Sequence, residues 1–407
     1  MSHEKKLVLI GAGNIGKGYL ADLFSARGYH LVFLTHRREQ AESMRKEGRY
    51  PFYKISNDGR TEEYFISGYE AYSTAAEREA CVEALCNTDY ASVHLYPKSY
   101  PDIAALLAET VKRKLQMRSE RTLDVLLCVN SMRPAKVFRK YILEHLQTPE
   151  QKDYFEAHIG LVEALTNRGG YQPTEEFLQQ HKNAVIVSGS EDLPVDGAAF
   201  RGEFPEDAPL KTMDHFEVRL INKLWSGNMR HASIALYAYH QGETLLWKGA
   251  QSAYARMCIE QASEEAIFAV TQEFGISREA LEEGDRYANL QEYWEVMAKK
   301  QDNDSALRVA AGPIRKLAKD ERLVGPALAC ICHGKLPYFL AKSVALMYSF
   351  RNPRDEEAVE LGAYIDAHGL PAAMEHFSGL SDRVPEEKLL RQLVLAHTAD
   401  FGTARDF

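Results

Sequence analysis

The sequence predicts an amino-terminal α/β domain, built on a parallel sheet, followed by an all-helical domain. Short apolar runs alternate with amphipathic helical stretches in the first half, which is typical of parallel strands covered by helices on both faces. From Asp214 onward the helical periodicity is nearly continuous, and glycine and proline residues separate successive helices. The chain has 407 residues, more than one hydrophobic core usually spans. We therefore expect two domains, residues 1–205 and residues 206–407.

The individual elements of the first domain follow from the same patterns. Apolar runs rich in β-forming residues predict parallel strands at Leu7–Ile10, Leu31–Leu34, Ala91–Tyr96 and Leu123–Val129. Helical periodicity predicts helices at Gly16–Arg27, Ile103–Lys114 and Ala135–Leu146.

Two further β-like regions do not fit the alternation of strands and helices. Two runs flank Asn57-Asp58-Gly59, and an Asp-Gly pair favours the tight turn of a hairpin. We therefore predict an antiparallel hairpin inserted after the second strand. The segment Asn183–Ser190 is expected to add a late strand to the same sheet as the parallel strands.

Composition excludes several classes of protein. The formal net charge is −9, whereas a nucleic-acid-binding surface requires an excess of basic residues. The apolar stretch near the amino terminus is too short for a signal peptide, and no window approaches the length of a membrane span. The six cysteines form no paired framework, which favours reduced thiols. We expect a cytoplasmic protein that binds neither nucleic acid nor membrane.

A glycine-rich turn follows the first predicted strand. The sequence Gly11-Ala12-Gly13-Asn14-Ile15-Gly16 lies between that strand and an amphipathic helix. In this context the first glycine makes the tight turn, the second admits a pyrophosphate, and the third lets helix and strand pack closely. An ordinary strand–helix turn with incidental glycines is the alternative. We predict a Rossmann-type dinucleotide site formed by Gly11, Gly13, Asn14, Ile15 and Gly16.

The end of the second strand indicates which dinucleotide binds. NAD-specific sites place an acidic residue there, to accept hydrogen bonds from the 2′-hydroxyl of the adenosine ribose. Here that position is Thr35, followed by His36 and Arg37. A hydroxyl and a guanidinium suit a 2′-phosphate, which a carboxylate would repel. We therefore favour NADP over NAD, although these side chains could also simply be exposed at a strand end.

The start of the helical domain carries the best candidates for the chemistry. Lys223, Asn228 and His231 have K-x4-N-x2-H spacing. On an α-helix the Asn lies about 140° and the His about 80° from the Lys, so the three share one broad face. A desolvated lysine can act as a general base, and a carboxamide can stabilise an alkoxide. A polar helix start with a capping Asn228 is the structural alternative.

Two other routes to dehydrogenase chemistry have weaker support. A zinc site would have to use Cys330, Cys332 and His333, which lie in an apolar helical run where cysteines commonly fill space. The Tyr-x3-Lys pattern occurs twice, at Tyr338–Lys342 and Tyr50–Lys54, and neither copy follows the sheet suitably. We expect no metal.

Together with the later segment "GPIRKLAKDERLVGPA", these motifs resemble those of the polyol-specific long-chain dehydrogenases. The chain is most similar to the branch that acts on a hexitol phosphate, from Lys6 to roughly Ala327. The resemblance implies a Rossmann-type domain, a helical domain, an active site in the cleft between them, and no metal.

The resemblance also assigns roles by position. It implies that Lys223 is the general base, that Asn228 and Asn130 bind the developing alkoxide, and that His231 orients the substrate. Asn130 follows a sheet strand in the context "LLCVN", although it could instead cap the next helix. The loop that follows Ala91–Tyr96 would meet the nicotinamide, so Leu95 and Tyr96 are further predicted cofactor contacts.

Departures from the family pattern concern the substrate. NAD-type members carry Asp at the position of Thr35, and the acidic–Arg pair near "VEALTNRGG" is here Asn167-Arg168. Gly312 replaces the arginine that usually precedes the proline of the later segment. The cations that remain to bind a phosphate or carboxylate of the substrate are Arg168, Arg315 and Lys316.

We therefore expect a metal-independent, NAD(P)-dependent oxidoreductase that acts on a sugar alcohol or a sugar-alcohol phosphate. An oxidoreductase for a sugar acid such as an aldonate is one alternative. A dinucleotide-sensing protein without turnover is another, although a sensor would not need a base. The partner is expected to be a small-molecule substrate, and the protein a monomer or small homo-oligomer.

Overall fold

The computed structural model describes residues 5–55, 60–129, 131, 133–166, 170–171, 175–188, 191–282, 289–300 and 304–400. The chain forms two compact units, Met1–Phe216 and Glu217–Phe407. The boundary expected from the sequence, between residues 205 and 206, precedes this division. The intervening residues include Leu210–Thr212, which pairs with Leu193–Val195 inside the first unit.

The strands of the first unit form one six-stranded sheet and two smaller sheets. In chain order they are β1 Lys6–Ile10, β2 His30–Thr35, β3 Arg49–Ile55, β4 Thr61–Ser67, β5 Glu70–Ser73, β6 Tyr90–Val93, β7 Leu123–Leu127, β8 Ile159–Glu163, β9 Gly170–Tyr171, β10 Val185–Ser188, β11 Leu193–Val195 and β12 Leu210–Thr212.

The main sheet is parallel throughout and has the order β5-β2-β1-β6-β7-β8. The central strand β1 is apolar from Leu7 to Ile10, and Leu7, Val8, Leu9 and Ile10 are all buried and contribute to cores on both faces. The chain runs outward from β1 to β2 and β5, and then returns to β6 on the opposite side of β1. Ligands bind at such a reversal in open α/β sheets. The predicted Rossmann-type parallel fold is confirmed.

The inserted hairpin is also present, but in a second sheet of order β4-β3-β10-β9. β3 and β4 pair antiparallel from Arg49 opposite Ser67 to Ile55 opposite Thr61. The predicted turn Asn57-Asp58-Gly59 lies outside the described residues.

The prediction that Asn183–Ser190 joins the main sheet was wrong. β10 pairs parallel with β3 in the second sheet and packs on the glycine-turn helix. A Cβ at Gly18 would come within 2.5 Å of Val187 Cγ1, so the glycine leaves room for this strand. An alternating pattern determines the two faces of a strand but does not determine which edge it joins.

The described part of the first unit also contains helices. They are α1 Ala21–Ser25, α2 Arg38–Glu47, α3 Arg78–Cys86, α4 Tyr100–Gln116, α5 Pro134–His145, α6 Pro149–His158 and α7 Glu175–Gln180. The predicted helix Gly16–Arg27 begins as a π-helical turn, Ile15–Leu20, which continues directly into α1.

The second unit is helical, and its described residues contain no strand beyond an isolated bridge between Leu245 and Ser305. A π-helical turn, Lys223–Asn228, connects its first two helices. Its helices are α8 Phe216–Asn222, α9 Met229–His240, α10 Ala253–Phe274, α11 Arg278–Glu282, α12 Leu290–Lys300, α13 Ala306–Ala310, α14 Pro313–Lys316, α15 Val324–Cys332, α16 Tyr338–Tyr348, α17 Glu356–His368, α18 Leu370–Ser378 and α19 Pro385–Asp400.

Two further observations concern membrane-spanning helices and disulfide bonds. Across the described residues, no helix has both the length and the apolar character needed to cross a membrane. All six cysteines are free thiols, and five of them are buried.

Candidate active site

The glycine turn follows β1 at the point where the strand order reverses. Gly11 has a φ of +115°, a conformation that favours glycine, and its N–H donates to Leu34 O at 2.8 Å. A Cβ at Gly16 would lie 2.3 Å from Gly11 O, so this position also requires glycine. Gly13 is exposed, and a Cβ there would meet no atom within 4 Å. The turn therefore leaves open backbone at Gly13, and it fits the diphosphate of a dinucleotide.

The two residues between these glycines lie at the start of the π-helical turn. Asn14 and Ile15 are half-buried, and Asn14 has helical backbone angles. Backbone N–H groups at the start of a helical segment point towards a bound anion. Both residues thus lie at the surface where the diphosphate was predicted.

Two of the side chains that were predicted to contact the 2′-group of the cofactor bond to Gln40, a residue that was not predicted from the sequence. Thr35 Oγ1 donates to Gln40 Oε1 at 2.8 Å, and Arg37 Nη2 donates to the same oxygen at 3.2 Å. Gln40 Nε2 in turn donates to Ala12 O at 3.0 Å, in the glycine turn. Thr35 is buried, whereas His36 and Arg37 are exposed. Gln40 therefore connects the end of β2 to the dinucleotide turn.

The loop after β6 also lies against this turn. The His94 N–H donates to Ile10 O at 3.3 Å. Leu95 Cδ2 lies 2.9 Å from the position of a Cβ on Gly11, whereas Tyr96 is 75% exposed. Leu95 thus contacts the predicted cofactor turn, and Tyr96 extends from the same edge of the sheet into solvent.

Asn130 and Arg168 lie outside the described residues. The strand before Asn130, β7, ends at Leu127, two residues earlier than predicted. Cys128 and Val129 continue from it as buried residues. The predicted roles of Asn130 and Arg168 stay predictions.

In the second unit, Lys223 and Asn228 are the first and last residues of the π-helical turn. A π-turn closes i to i+5 instead of i to i+4, and such turns are frequent at functional sites. The wider turn brings residues five positions apart closer to one face than the α-helical angle implied. Lys223, Asn228 and His231 are all half-buried. The local geometry is compatible with a shared polar face.

The turn is anchored by the later segment that carried the resemblance. Trp225 Nε1 donates to Asp320 O at 3.1 Å. A Cβ at Gly325 would lie 2.8 Å from Trp225 Nε1 and 2.9 Å from Asp320 O. The close fit of the indole against Gly325 fixes the turn relative to this segment.

His231 lies in a strongly charged environment. Its recessed position lowers its pKa to about 4, and Asp304 opposes that shift whereas Arg308, Arg322 and Lys316 reinforce it. Asp304 is itself paired with Arg308, whose Nε donates at 2.6 Å. The imidazole is therefore neutral near pH 7 and offers one hydrogen-bond donor and one acceptor.

Two cations beside His231 are almost completely buried. Lys316 is 4% exposed and Arg322 is 7% exposed. Burial is the main reason that the pKa of Lys316 lies well below its usual value, and Arg315 and Arg322 lower it further. Arg322 Nε donates to Glu321 at 3.0 Å, but its Nη2 has no partner among the described residues. Concentrated buried positive charge favours an anionic group of a ligand.

Carboxylates hold the backbone that presents these cations. Gly312, with φ of +73°, donates its N–H to Asp355 Oδ2 at 2.7 Å. The Arg315 N–H donates to Glu357 Oε2 at 2.9 Å. Lys316 acts electrostatically on His231, and Arg315 precedes it in the same short helix. Arg322, which sequence reasoning missed, is in the same motif, seven residues after Arg315.

The residues considered for a zinc site and for the Tyr-x3-Lys pattern bond to other groups. The Cys330 thiol donates to Glu265 O at 3.1 Å, and His333 bonds Glu273 at 2.9 Å. Lys342 bonds Tyr254, and Tyr50 donates to Lys17 O at 2.8 Å. Among the described residues, no group of three or more His, Cys, Asp or Glu side chains is arranged to hold a metal.

Comparison with known sequences identifies relatives along nearly the whole chain. Residues 5–184 match the family model described as the mannitol dehydrogenase Rossmann domain. Mannitol-1-phosphate 5-dehydrogenase of Oceanobacillus iheyensis is 27% identical over 400 residues, which is 96% of this chain and 98% of that protein. The enzyme of the same name from Geobacillus stearothermophilus is 25% identical over 381 residues, 93% of this chain and 96% of that one.

Solved structures share the fold of the chain. Mannitol 2-dehydrogenase of Pseudomonas fluorescens, in a ternary complex with NAD and D-mannitol, aligns with a TM-score of 0.74 at 14% identity, covering 100% of this chain and 92% of that one. A substrate-free D-sorbitol dehydrogenase aligns with a TM-score of 0.72 at 13% identity, covering 99% and 96%. Residues 5–184 thus match the Rossmann domain of the mannitol dehydrogenase family, and the chain as a whole is similar in sequence to mannitol-1-phosphate 5-dehydrogenases and in fold to mannitol and sorbitol dehydrogenases.

Proposed function

We propose that the protein reversibly oxidises a secondary alcohol of a sugar-alcohol phosphate to the ketone, in a reaction of the mannitol-1-phosphate/fructose-6-phosphate type. The observation that carries this proposal is the pair of buried cations, Lys316 and Arg322, beside His231 in the unit that contains Lys223 and Asn228. A neutral polyol has no charge for such cations to bind. The names of the sequence relatives support the same substrate class.

In the proposed mechanism, Lys223 Nζ accepts the proton of the reacting hydroxyl, so it must be neutral when the substrate binds. The Asn228 carboxamide donates a hydrogen bond to the same oxygen as negative charge develops there. The neutral ring of His231 orients the substrate through a neighbouring hydroxyl. In the reverse direction Lys223 returns the proton. We also retain the proposal that Asn130 is a second donor to the alkoxide.

A bound nicotinamide dinucleotide supplies the hydride acceptor for alcohol oxidation and the hydride donor for ketone reduction. The open backbone at Gly13 and the reversal of strand order beside β1 support its binding to the first unit. We propose that Thr35 and Arg37, held by Gln40, bind a 2′-phosphate, so that NADP is preferred over NAD. No metal is needed in this mechanism, because Lys223 accepts the proton and the carboxamides bind the alkoxide.

The substrate's phosphate is proposed to bind Lys316 and Arg322, with Arg315 and Arg168 as further contacts. Arg322 is well suited, because the unpartnered Nη2 would gain an acceptor. Lys316 would then carry its full charge, since an anion nearby raises the pKa of a buried lysine.

The experiment is a screen of polyols, polyol phosphates, ketoses and ketose phosphates, each with NADH, NADPH or the oxidised cofactors. We expect mannitol 1-phosphate or a related hexitol phosphate to be preferred over its unphosphorylated form, and NADP(H) over NAD(H). Preference for an unphosphorylated polyol would contradict the phosphate assignment.

The buried cations also support a second candidate, because a carboxylate would bind to them as a phosphate would. The same screen therefore includes aldonates, and a preference for these would identify a sugar-acid oxidoreductase. Binding of a dinucleotide without turnover of any compound would instead indicate the dinucleotide-sensing alternative.

A further inference from the structure

His94 lies where the order of the main sheet reverses. It directly follows β6, and its backbone N–H donates to Ile10 O, the last residue of β1. β1 separates β6 from β2, whose end carries Thr35 and Arg37. A dinucleotide bound across this edge, with its adenosine ribose beside β2, would place its other half beside β6. His94 is therefore on the side that faces the nicotinamide half.

The imidazole of His94 occupies the space that two glycines leave. A Cβ at Gly11 would lie 2.9 Å from His94 Nδ1, and a Cβ at Gly16 would lie 2.3 Å from His94 Cε1. No side chain fits at either glycine while the ring keeps this position. The ring is thus packed directly against the predicted diphosphate turn.

Both ring nitrogens are shielded from solvent, and neither has a hydrogen-bond partner in the part of the chain that the structure describes. Buried polar atoms are rarely left unpaired, because they lose their hydrogen bonds to water. Burial lowers the pKa of His94 to about 3, so the ring is neutral at physiological pH. A neutral imidazole has one N–H donor to offer. An apolar side chain would fill the same space without this unpaired donor.

We infer that His94 is a further cofactor-binding residue, whose ring N–H donates to an oxygen of the nicotinamide-side phosphate or of the ribose attached to it. This inference rests on the proposed function, since it requires a bound nicotinamide dinucleotide. The bound oxygen would pair a donor that protein groups leave unpaired. Neither the glycine pattern nor the prediction of Leu95 and Tyr96 as cofactor contacts identified this histidine.

The test measures binding, by fluorescence titration with NADH and NADPH and by calorimetry with AMP and adenosine 2′,5′-bisphosphate. We expect His94→Leu to weaken binding of the whole dinucleotide by about tenfold, as loss of one hydrogen bond to an anion predicts. The adenosine fragments, which lack the nicotinamide half, should bind as they do to the wild type. His94→Asn and His94→Gln each retain a donor near one ring nitrogen, and one of them should restore affinity.

The matched control is His30→Leu, at the opposite end of β2, where the ring bonds Glu70 at 2.8 Å. It should not change dinucleotide affinity, and thermal unfolding of each variant checks that the domain is folded. If His94→Leu does not fold, His94→Asn and His94→Gln decide the test. One of them should bind the dinucleotide more tightly than the other, and equal affinities of the two variants would overturn the inference.

Two other results would also overturn it. One is wild-type affinity in His94→Leu, and the other is an equal loss of affinity for the adenosine fragments, which would indicate a distorted turn. A wild-type protein that binds neither NADH nor NADPH would contradict the proposed function itself. A wild type that binds them while His94→Leu binds equally well contradicts only the role of His94.

Discussion

Lys223 is the residue on which the proposed chemistry depends most directly. It begins the π-helical turn and is half-buried, so its amine is partly withdrawn from solvent. Its assignment rests on position in the K-x4-N-x2-H motif and on the resemblance. A test must therefore separate loss of the base from loss of the fold or of cofactor binding.

We expect Lys223→Ala to reduce kcat by about 10²- to 10⁴-fold, the range usual for removal of a general base. Dinucleotide affinity should be nearly unchanged, because the glycine turn belongs to the other unit. The control is Lys248→Ala, which removes an amine from a surface ion pair with Glu243 in the same unit. Full activity in the Lys223 variant would show that another group takes the proton.

Arg37 is the residue that should distinguish the two cofactors. It donates to Gln40 and is otherwise exposed, so its guanidinium is available to a 2′-phosphate. We expect Arg37→Ala to weaken NADPH binding by about tenfold and to leave NADH binding unchanged, because only NADPH carries the 2′-phosphate.

The neighbouring Arg38 provides a matched control, because it pairs with Glu42 at 2.8 Å on the exposed face of α2. Arg38→Ala should alter neither affinity. Gln40→Ala should resemble Arg37→Ala in direction, since both Thr35 and Arg37 lose their shared acceptor. Equal losses for NADH and NADPH in the Arg37 variant would refute the assignment to the 2′-phosphate.

Within the glycine turn, Gly13 and Gly16 should affect different properties: Gly13 the binding of the dinucleotide, and Gly16 the stability of the fold. A Cβ at Gly13 meets nothing within 4 Å, whereas one at Gly16 would lie 2.3 Å from both Gly11 O and His94 Cε1. We expect Gly13→Ala to change the free energy of unfolding by less than about 0.5–1 kcal/mol, yet to weaken dinucleotide binding.

In the same measurements, Gly16→Ala should lower the free energy of unfolding by about 1–3 kcal/mol, because backbone and imidazole must move to admit the methyl group. Urea denaturation and NADPH titration of the two variants test both statements. Tight NADPH binding by Gly13→Ala would show that the diphosphate does not approach this backbone.

Some elements depend on contacts that are distant in sequence, and these could not be predicted from local patterns. Leu7–Ile10 and the glycine spacing were sufficient to predict the first parallel strand and the turn that follows it, because these signals are local. Val185–Ser188 was assigned to the wrong sheet, since the choice of edge depends on Gly18 and β3, far away in sequence. The π-turn at Lys223 was not predicted because Trp225 is fixed by Asp320 and Gly325.

The residues that the sequence analysis missed share one property. Gln40 and His94 lie outside the motifs, and Arg322 lies in a motif that gave it no role of its own. Each of the three gains a role only through a spatial neighbour. Gln40 bonds to Ala12 in the glycine turn, His94 packs against Gly11 and Gly16, and Arg322 lies in the environment of His231. Spacing along the chain does not encode such contacts.

For the protein as a whole, three half-buried histidines with lowered pKa values predict a dependence of stability on pH. Burial lowers the pKa of His94 to about 3 and that of His231 to about 4, and it also lowers the pKa of His240. The unfolded chain, in which histidine has its ordinary pKa near 6.5, then binds protons that the folded chain excludes. The free energy of unfolding should therefore fall as the pH decreases from about 6.5 towards 4.

Urea denaturation at pH 7.5, 6 and 5 measures this fall. In His231→Gln the fall in the free energy of unfolding should be smaller than in the wild type, because the unfolded variant no longer has this histidine to bind a proton. His145→Gln, on the exposed end of α5, is the control and should follow the wild type. An unchanged slope in His231→Gln would mean that this histidine titrates alike in both states.

The order of the two units along the chain has a consequence for biosynthesis. In the described residues, the last strand ends at Thr212, before the first residue of the second unit. Synthesis of Glu217–Phe407 takes about 10 to 40 s at ordinary translation rates, and domains generally fold as units from the amino terminus. The nascent chain can therefore complete its dinucleotide-binding sheet while the remainder, including Lys223, is still being translated.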